Sequence, residues 1–358
     1  MKLGIDARPL EHPHTGIGRY TKEILEYILT LRDWSVILYS ARPLKNSCKQ
    51  TTNVAYKIPG IPNVAAFQAR VGQLCKQHDV DVFFGPRHQL PLALDCPSVV
   101  TIHDMSWLKA RDTMRLSGSL VDATLMPRAI ERATKVIAVS NHTRAEICDF
   151  FPDAEEKTRT IYEAAFCNAS QSQAIDSIAK PFILAVGTQE PRKNYDRLLA
   201  AFQKVTQLFE NQHLVIAGGD GWKTDLKSTI KTLGLTKHVT LLGGVNDMQL
   251  KFLYEACQFL AMPSLYEGFG LPLVEAMNYN KPALTSNNSA MREIAFDAAL
   301  LVDPLDVESI ANGLLKLVSD DQLRDDLAKR ATVRKSFFSW NKAAEETART
   351  IEAAYSAR

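Results

Sequence analysis

Glu267 and Glu275 bracket the run Gly268-Phe269-Gly270-Leu271-Pro272-Leu273-Val274. A carboxylate accepts paired hydrogen bonds from vicinal hydroxyls, and glycine lets a backbone come close to a ligand. Proline suits the first turn of a helix, whose outward amides receive an anion or a hydroxyl. The spacing of the two glutamates by itself describes an ordinary helix surface and its cap. The glycine-containing loop, entered from the apolar run 258–262 and Pro263-Ser264, makes a site of it. The pattern predicts a strand, a loop carrying Glu267 and a helix carrying Glu275 one turn in, with both carboxylates aimed at one cleft.

A second constellation is Gly187-Thr188-Gln189-Glu190-Pro191-Arg192-Lys193-Asn194, after the apolar run 181–186. Adjacent cations just ahead of a predicted helix N-terminus act with the helix dipole on the same anion. A diphosphate leaving group needs such compensation. Mg²⁺ supplies it in many transferases, but no closely spaced Asp-x-Asp motif is read here to hold one, so no metal or other cofactor is expected and Arg192 and Lys193 take its place. The plainer reading is a solvated basic turn capped by Asn194.

In the first half, Thr15-Gly16-Ile17-Gly18-Arg19-Tyr20 opens a helical stretch marked by Ile24, Leu25, Ile28 and Leu31. The turn is similar to a phosphate cradle, but the third glycine of a dinucleotide fingerprint is missing, and a plain turn is the default for this motif alone. His103-Asp104 closes the run Val99-Val100-Thr101-Ile102. An imidazole there can donate to or accept from a ligand oxygen, or serve as a structural group while Asp104 caps the next helix. Further on, Lys109, Arg111, Arg115, Arg128, Arg132 and Lys135 interleave with Trp107, Leu116, Leu120, Leu125, Met126 and Ile130. Such a surface could rest on anionic lipid. A solvated helix face is the preferred reading, because Asp112, Asp122 and Glu131 dilute the charge.

These residues need a scaffold, and the rest of the sequence describes one. Short apolar runs alternate with segments of helical period, as parallel strands and crossover helices do. Strands are predicted at 2–6, 34–40, 81–84, 98–102 and 135–139, then at 181–186, 213–217, 238–242, 258–262, 282–285 and 299–302. Leu198, Leu199, Phe202, Val205 and Phe209 fall on one face of a helix starting near Asn194. The 358 residues exceed what one core ordinarily needs. The class is therefore α/β, with two doubly wound domains at 1–168 and 169–338, joined through the polar stretch 166–180. A terminal helix follows at 339–358, with Ala344, Thr347, Ile351, Ala354 and Tyr355 on the face that needs a partner. Ligands of open parallel sheets bind beyond the carboxyl ends of the strands, so two such domains face to face would make one cleft.

Composition excludes several classes. A net charge of +2, with 23% of residues charged, fits neither disorder nor nucleic-acid binding. The six cysteines lack metal or redox spacing, which fits a reducing cytosol. Charge at Lys2 and Asp6 stands where a secretory signal would be apolar, and no run approaches the roughly 18 apolar residues of a membrane span. The expectation is a cytoplasmic protein that meets any lipid-linked substrate at the membrane surface. A P-loop nucleotidase is excluded by the lack of a Gly-Lys-Ser/Thr loop.

Taken together, Glu267 to Glu275, Arg192-Lys193, His103 and the Gly16-Ile17-Gly18 turn resemble the motifs of glycosyltransferase family 4, and the resemblance spans nearly the whole chain. It implies a GT-B fold, two Rossmann-like domains facing across a cleft, with the terminal helix returning to the first. It implies a nucleotide-sugar donor, a saccharide or lipid-linked saccharide acceptor, and retention of anomeric configuration without a metal. Glu275 would hold the ribose, and Glu267, with Gly268, Phe269, Gly270 and Leu271, the hydroxyls of the transferred sugar. Arg192 and Lys193 would neutralise the diphosphate, His103 would contact the sugar near its reacting face, and Gly243 and Val245 would meet the nucleobase through the backbone. Gly16 and Gly18 would lie on the phosphate side; many members have glycine where this chain has Thr15. With Ile5-Asp6-Ala7-Arg8, the same segments look most like bacterial mannosyltransferases of O-antigen and other surface polysaccharides, which points to GDP-mannose and to peripheral contact with the inner membrane. No carboxylate stands where a covalent nucleophile would, in keeping with a front-face displacement. A UDP-sugar transferase, a nucleotide-sugar epimerase or phosphorylase, and a non-catalytic scaffold subunit are the competing readings.

Overall fold

The computed structural model describes residues 1–44, 50–166, 170–176 and 178–357. Its contacts divide the chain into two units. Unit 1 comprises Met1–Trp107, Ser117–Glu163 and Ser339–Arg358, and unit 2 comprises Leu108–Leu116 and Ala164–Phe338. The domain boundary predicted at 168/169 lies outside the described residues.

Among the described residues, unit 1 is built on seven parallel strands: β1 (Lys2–Asp6), β2 (Ser35–Ser40), β3 (Thr51–Ala55), β4 (Val82–Gly85), β5 (Ser98–Ile102), β6 (Lys135–Ala138) and β7 (Thr158–Thr160). Their order is β3-β2-β1-β4-β5-β6-β7. In-register pairs such as Ile5 with Leu38 and Ile5 with Phe84 tie β1 to both neighbours. Central strands of a parallel sheet are covered on both faces and read as unbroken apolar runs, and Val82, Phe83 and Phe84 are fully buried. The outermost strands, β3 and β7, had no such run to announce them. Thr51-Thr52-Asn53-Val54-Ala55 is half exposed, as an edge strand is, and polar side chains on an edge discourage pairing with another chain.

Among the described residues, unit 2 carries six parallel strands: β8 (Phe182–Val186), β9 (His213–Ala217), β10 (Val239–Gly243), β11 (Leu260–Met262), β12 (Ala283–Ser286) and β13 (Leu300–Val302), in the order β10-β9-β8-β11-β12-β13. All six coincide with predicted runs, β11 being two residues shorter at its start. The helix Tyr195–Leu208 buries Leu198, Leu199, Phe202 and Val205 against this sheet and against Ile310 and Leu314. Phe209, expected on the same face, is the C-terminal cap at φ −131° and packs, half-buried, against the same core. Truncating a side chain buried as deeply as Phe202 to alanine costs on the order of 3–5 kcal/mol.

The terminal helix Trp340–Ser356 packs in unit 1. Its Ala344, Thr347, Ile351 and Ala354 are fully buried, whereas Tyr355 is exposed. Arg32, just beyond the helix Gly16–Leu31, pairs with Glu345 at 3.1 Å and Glu352 at 2.7 Å. The basic stretch read as one surface is split: Leu108–Leu116 belongs to unit 2, where Trp222 Nε1 donates to the Thr113 carbonyl and Arg115 lies over the Trp222 ring. The helix Leu116–Arg132 buries Met126 and Ile130 and exposes Leu116 and Leu120. Among the described residues no helix is long and apolar enough to cross a membrane.

Candidate functional site

In unit 2 the predicted cations and one of the glutamates form a single cluster. β8 runs into Gly187, and a tight turn, Pro191–Lys193, follows. Asn194 ends this turn in the left-handed region, φ 61°. Its side chain does not cap the following helix, contrary to the plainer reading of the sequence. Its amide instead donates to the carbonyls of Pro263 at 2.9 Å and Pro304 at 2.7 Å, just past β11 and β13. The turn is thereby fixed to the carboxyl edge of the sheet.

Arg192 and Lys193 both reach Glu267. Lys193 Nζ donates to Glu267 Oε1 at 2.7 Å, and Arg192 Nη1 donates to Glu267 Oε2 and, at 3.1 Å, to the Tyr266 carbonyl. The other arm of Arg192 pairs with Glu190 at 2.7 Å. Glu267 is 6% exposed. Burial alone would push its carboxyl upward, but Arg192 and Lys193 overcome that and hold its pKa below the usual carboxylate range. The predicted diphosphate-binding cations and the predicted sugar-binding carboxylate are therefore one hydrogen-bonded group.

Glu275 lies in the helix Leu271–Asn278, as expected. Gly270 starts that helix at φ 102°, a conformation that favours glycine, and Phe269 packs edge-on against Phe338. The buried Glu275 carboxylate accepts from the Tyr254 hydroxyl at 2.7 Å. Its partner thus differs from those of Glu267. Gly243 ends β10 at φ 66°, and its carbonyl accepts from Gly218 N at 2.8 Å. Gly218 follows β9 so closely against β8 that a Cβ there would run into the Gly187 carbonyl. This backbone-on-backbone contact of two loops went unread in the sequence, where Gly218-Gly219 sits in an ordinary polar turn. Val245 follows the same β10 loop.

In unit 1, His103 follows β5 and both ring nitrogens have partners. Nδ1 lies 2.8 Å from Glu163 Oε1 and Nε2 lies 2.8 Å from the Pro86 carbonyl. A carbonyl only accepts, so Nε2 carries a proton, and a carboxylate opposite Nδ1 favours a second. Burial alone would lower the histidine pKa; the hydrogen bond and charge of Glu163, with the Pro86 carbonyl, outweigh it and raise it. The ring is locked in place with both nitrogens engaged and its protonated form favoured, rather than the two-way donor and acceptor of the sequence reading. Glu163 had no motif to mark it. Asp104 does serve the next helix, accepting from Ser106 N at 3.0 Å.

The Gly16-Ile17-Gly18 turn is the first turn of the helix Gly16–Leu31, and Thr15 is its cap, Oγ1 accepting from Gly18 N at 3.1 Å. The Gly18 amide therefore already has a protein acceptor. One Asp-x-Asp spacing was passed over in the sequence, Asp79-Val80-Asp81. It lies at the amino end of β4, where Asp81 accepts from Lys2 N at 2.8 Å, opposite to the edge that carries His103.

Two family models cover the chain in tandem: Glycosyltransferase Family 4 over residues 14–164 and Glycosyl transferases group 1 over residues 170–334. The chain is 27% identical to O-antigen chain mannosyltransferase B of Escherichia coli, over 97% of this chain and 98% of that one. It is 24% identical to O-antigen chain mannosyltransferase RfbU of Salmonella typhimurium, over 88% and 90% of the two chains. Among solved structures, sucrose-phosphate synthase from Thermosynechococcus elongatus superposes with a TM-score of 0.83 at 18% identity, covering 100% of both chains. That likeness carries the fold alone, GT-B, with two Rossmann-like units. With both halves matched in order along a chain of this fold, the protein belongs to the family 4 glycosyltransferases.

Proposed function

We propose that this glycosyltransferase moves a hexose, mannose from GDP-mannose, to a saccharide or lipid-linked saccharide acceptor in surface-polysaccharide assembly, with retention and without a metal. The cluster of Arg192, Lys193 and Glu267 at the carboxyl edge of unit 2 carries the reading. Lys193 spends one of its three N–H donors on Glu267, leaving an ammonium to meet a departing diphosphate oxygen. Glu267 aligns both cations and accepts from hydroxyls of the sugar; Glu275, with Tyr254, serves the ribose. In the transfer the bond from C1 to the diphosphate oxygen breaks, C1 joins the acceptor oxygen on the same face, and the hydroxyl proton passes to the departing phosphate. His103, whose protonated form Glu163 favours, is assigned the contact with the sugar.

The mannose and O-antigen assignments draw on the names of the relatives, and the exposed Leu116 and Leu120 beside Arg115 give a surface for peripheral contact with the inner membrane. Incubation with radiolabelled GDP-mannose and lipid-linked oligosaccharides tests the reading. Label in the acceptor with retained configuration, undiminished by a chelator, supports it. Transfer from UDP-sugars alone would replace the donor, and an altered free nucleotide sugar formed without acceptor would make the protein an epimerase.

A further inference from the structure

Three side chains approach one another at the carboxyl edge of unit 1: Arg8 after β1, Tyr56 after β3 and Arg87 after β4. Asp6 accepts from Nε and Nη2 of Arg8 at 2.9 and 2.7 Å, and Gln89 Oε1 accepts from Nη2 at 3.1 Å. Arg8 Cζ lies 3.6 Å from the centroid of the Phe67 ring, and the Tyr56 ring meets Phe67 edge-on at 5.9 Å. One aromatic platform therefore holds the guanidinium and the phenol together. Arg8 is 6% exposed and Tyr56 1%.

The polar atoms that remain are the informative ones. Among the described residues, Nη1 of Arg8, Nε of Arg87 and the Tyr56 hydroxyl are buried with no hydrogen-bond partner. A folded protein rarely leaves one such group unsatisfied, because each forfeits its bonds to water. Here three neighbours do so, and all three can donate. The sheet order β3-β2-β1-β4 reverses direction between β1 and β4, the switch point beyond which open parallel sheets bind ligands. Arg8 and Arg87 follow the two strands that flank that point. Burial and the Arg8 charge lower the Arg87 pKa, a crowding of cations that an anion relieves. The nearby carboxylates are Asp6, engaged by Arg8, together with Glu11 and Asp122.

We propose that Arg8, Tyr56 and Arg87 form a binding site for an anionic group of the acceptor, a phosphate or a carboxylate. Its origin in the acceptor rests on the proposed function, with the donor on unit 2 and the acceptor on unit 1; the anion site itself does not. Calorimetric titration of the full chain carrying Lys193→Ala, which weakens the other cationic candidate, the Arg192-Lys193 pair, uses inorganic pyrophosphate, glucuronate and methyl mannoside as probes. Pyrophosphate or glucuronate should bind and methyl mannoside should not. Preference for pyrophosphate identifies a lipid-linked diphosphate as the source, and preference for glucuronate an acidic sugar. Adding Tyr56→Phe or Arg87→Gln should weaken anion binding by about tenfold, the loss of one charge-assisted hydrogen bond. Tyr56→Phe should also raise the melting temperature of the unliganded protein, since it deletes a buried hydroxyl without a partner. Failure of the Lys193→Ala protein to bind either anion, or binding that neither further substitution alters, overturns the proposal. Thermal shift of the chain without Lys193→Ala by GDP or UDP reads the donor assignment separately. Loss of that shift would remove the donor reading and leave the anion site standing.

Discussion

Lys193 Nζ donates to Glu267 Oε1 at 2.7 Å across 74 residues of sequence, and Arg192 grips the second oxygen of the same carboxylate. The cation proposed to act on the donor is thus aimed by the carboxylate proposed to bind the donor's sugar.

Lys193→Ala should lower turnover by about 10²- to 10³-fold, the scale of removing one preorganised donor to developing negative charge. Glu267 keeps Arg192 as a partner, so the melting temperature should fall by only a few degrees. Steady-state transfer kinetics beside a thermal melt check both numbers, and a fully active variant would refute the role.

Glu267→Gln leaves two cations with Glu190 as the remaining carboxylate of the cluster, and breaking a buried pair in this way costs on the order of 3–5 kcal/mol. The folded-state pKa of Glu267 is depressed. Its stabilisation is therefore complete above the unfolded carboxylate value of about 4.3 and disappears as pH falls through the lower folded value. Urea titrations between pH 6 and 3 should show wild type losing more stability on acidification than Glu267→Gln; parallel curves would count against the ion-pair account.

The His103 pair has the opposite sign. Its folded pKa is raised, so its contribution is complete below the unfolded histidine value of about 6.5 and is lost as pH rises through the folded value. Glu163→Gln removes the opposing charge and lets burial dominate, which should bring His103 below its ordinary value. Histidine NMR titration reads the shift, and the alkaline limb of the rate profile should move to lower pH with it. An unmoved His103 would mean that Glu163 is not what holds the proton.

Gly218→Ala tests the two-loop contact after β8 and β9. A Cβ at that position meets the Gly187 carbonyl, which is backbone and cannot swing aside. Loss of about 2 kcal/mol or more is expected. Denaturant unfolding measures it, and a neutral substitution would show that the loops are free to part.

The scaffold was legible where physics leaves a strong imprint. Buried parallel strands such as Val82-Phe83-Phe84 need apolar side chains on both faces, so their runs stand out. Edge strands β3 and β7 need no such run, and Thr158-Arg159-Thr160 reads as loop. Site residues in glycine-rich turns at strand ends were legible for a similar reason, since the turn constrains the residue type. Partners brought by tertiary structure were not. Glu163 stands 60 residues from His103, and Tyr254 stands 21 from Glu275; neither carries a local pattern. The attachment of Leu108–Leu116 to unit 2 hangs on Trp222, more than a hundred residues away, and periodicity carries no trace of it.

Asn194 has a chemical consequence for the lifetime of the protein. Its side-chain amide offers two N–H bonds to two proline carbonyls, and its oxygen accepts from Arg197 at 3.0 Å. Deamidation to aspartate would keep the outline of the side chain, yet it would set an oxygen against those two carbonyls, acceptor facing acceptor. Aspartate, the closest replacement in outline, is for that reason among the worst in hydrogen bonding. Loss of this one amide would release the turn that carries Arg192 and Lys193 from the two strand ends that hold it.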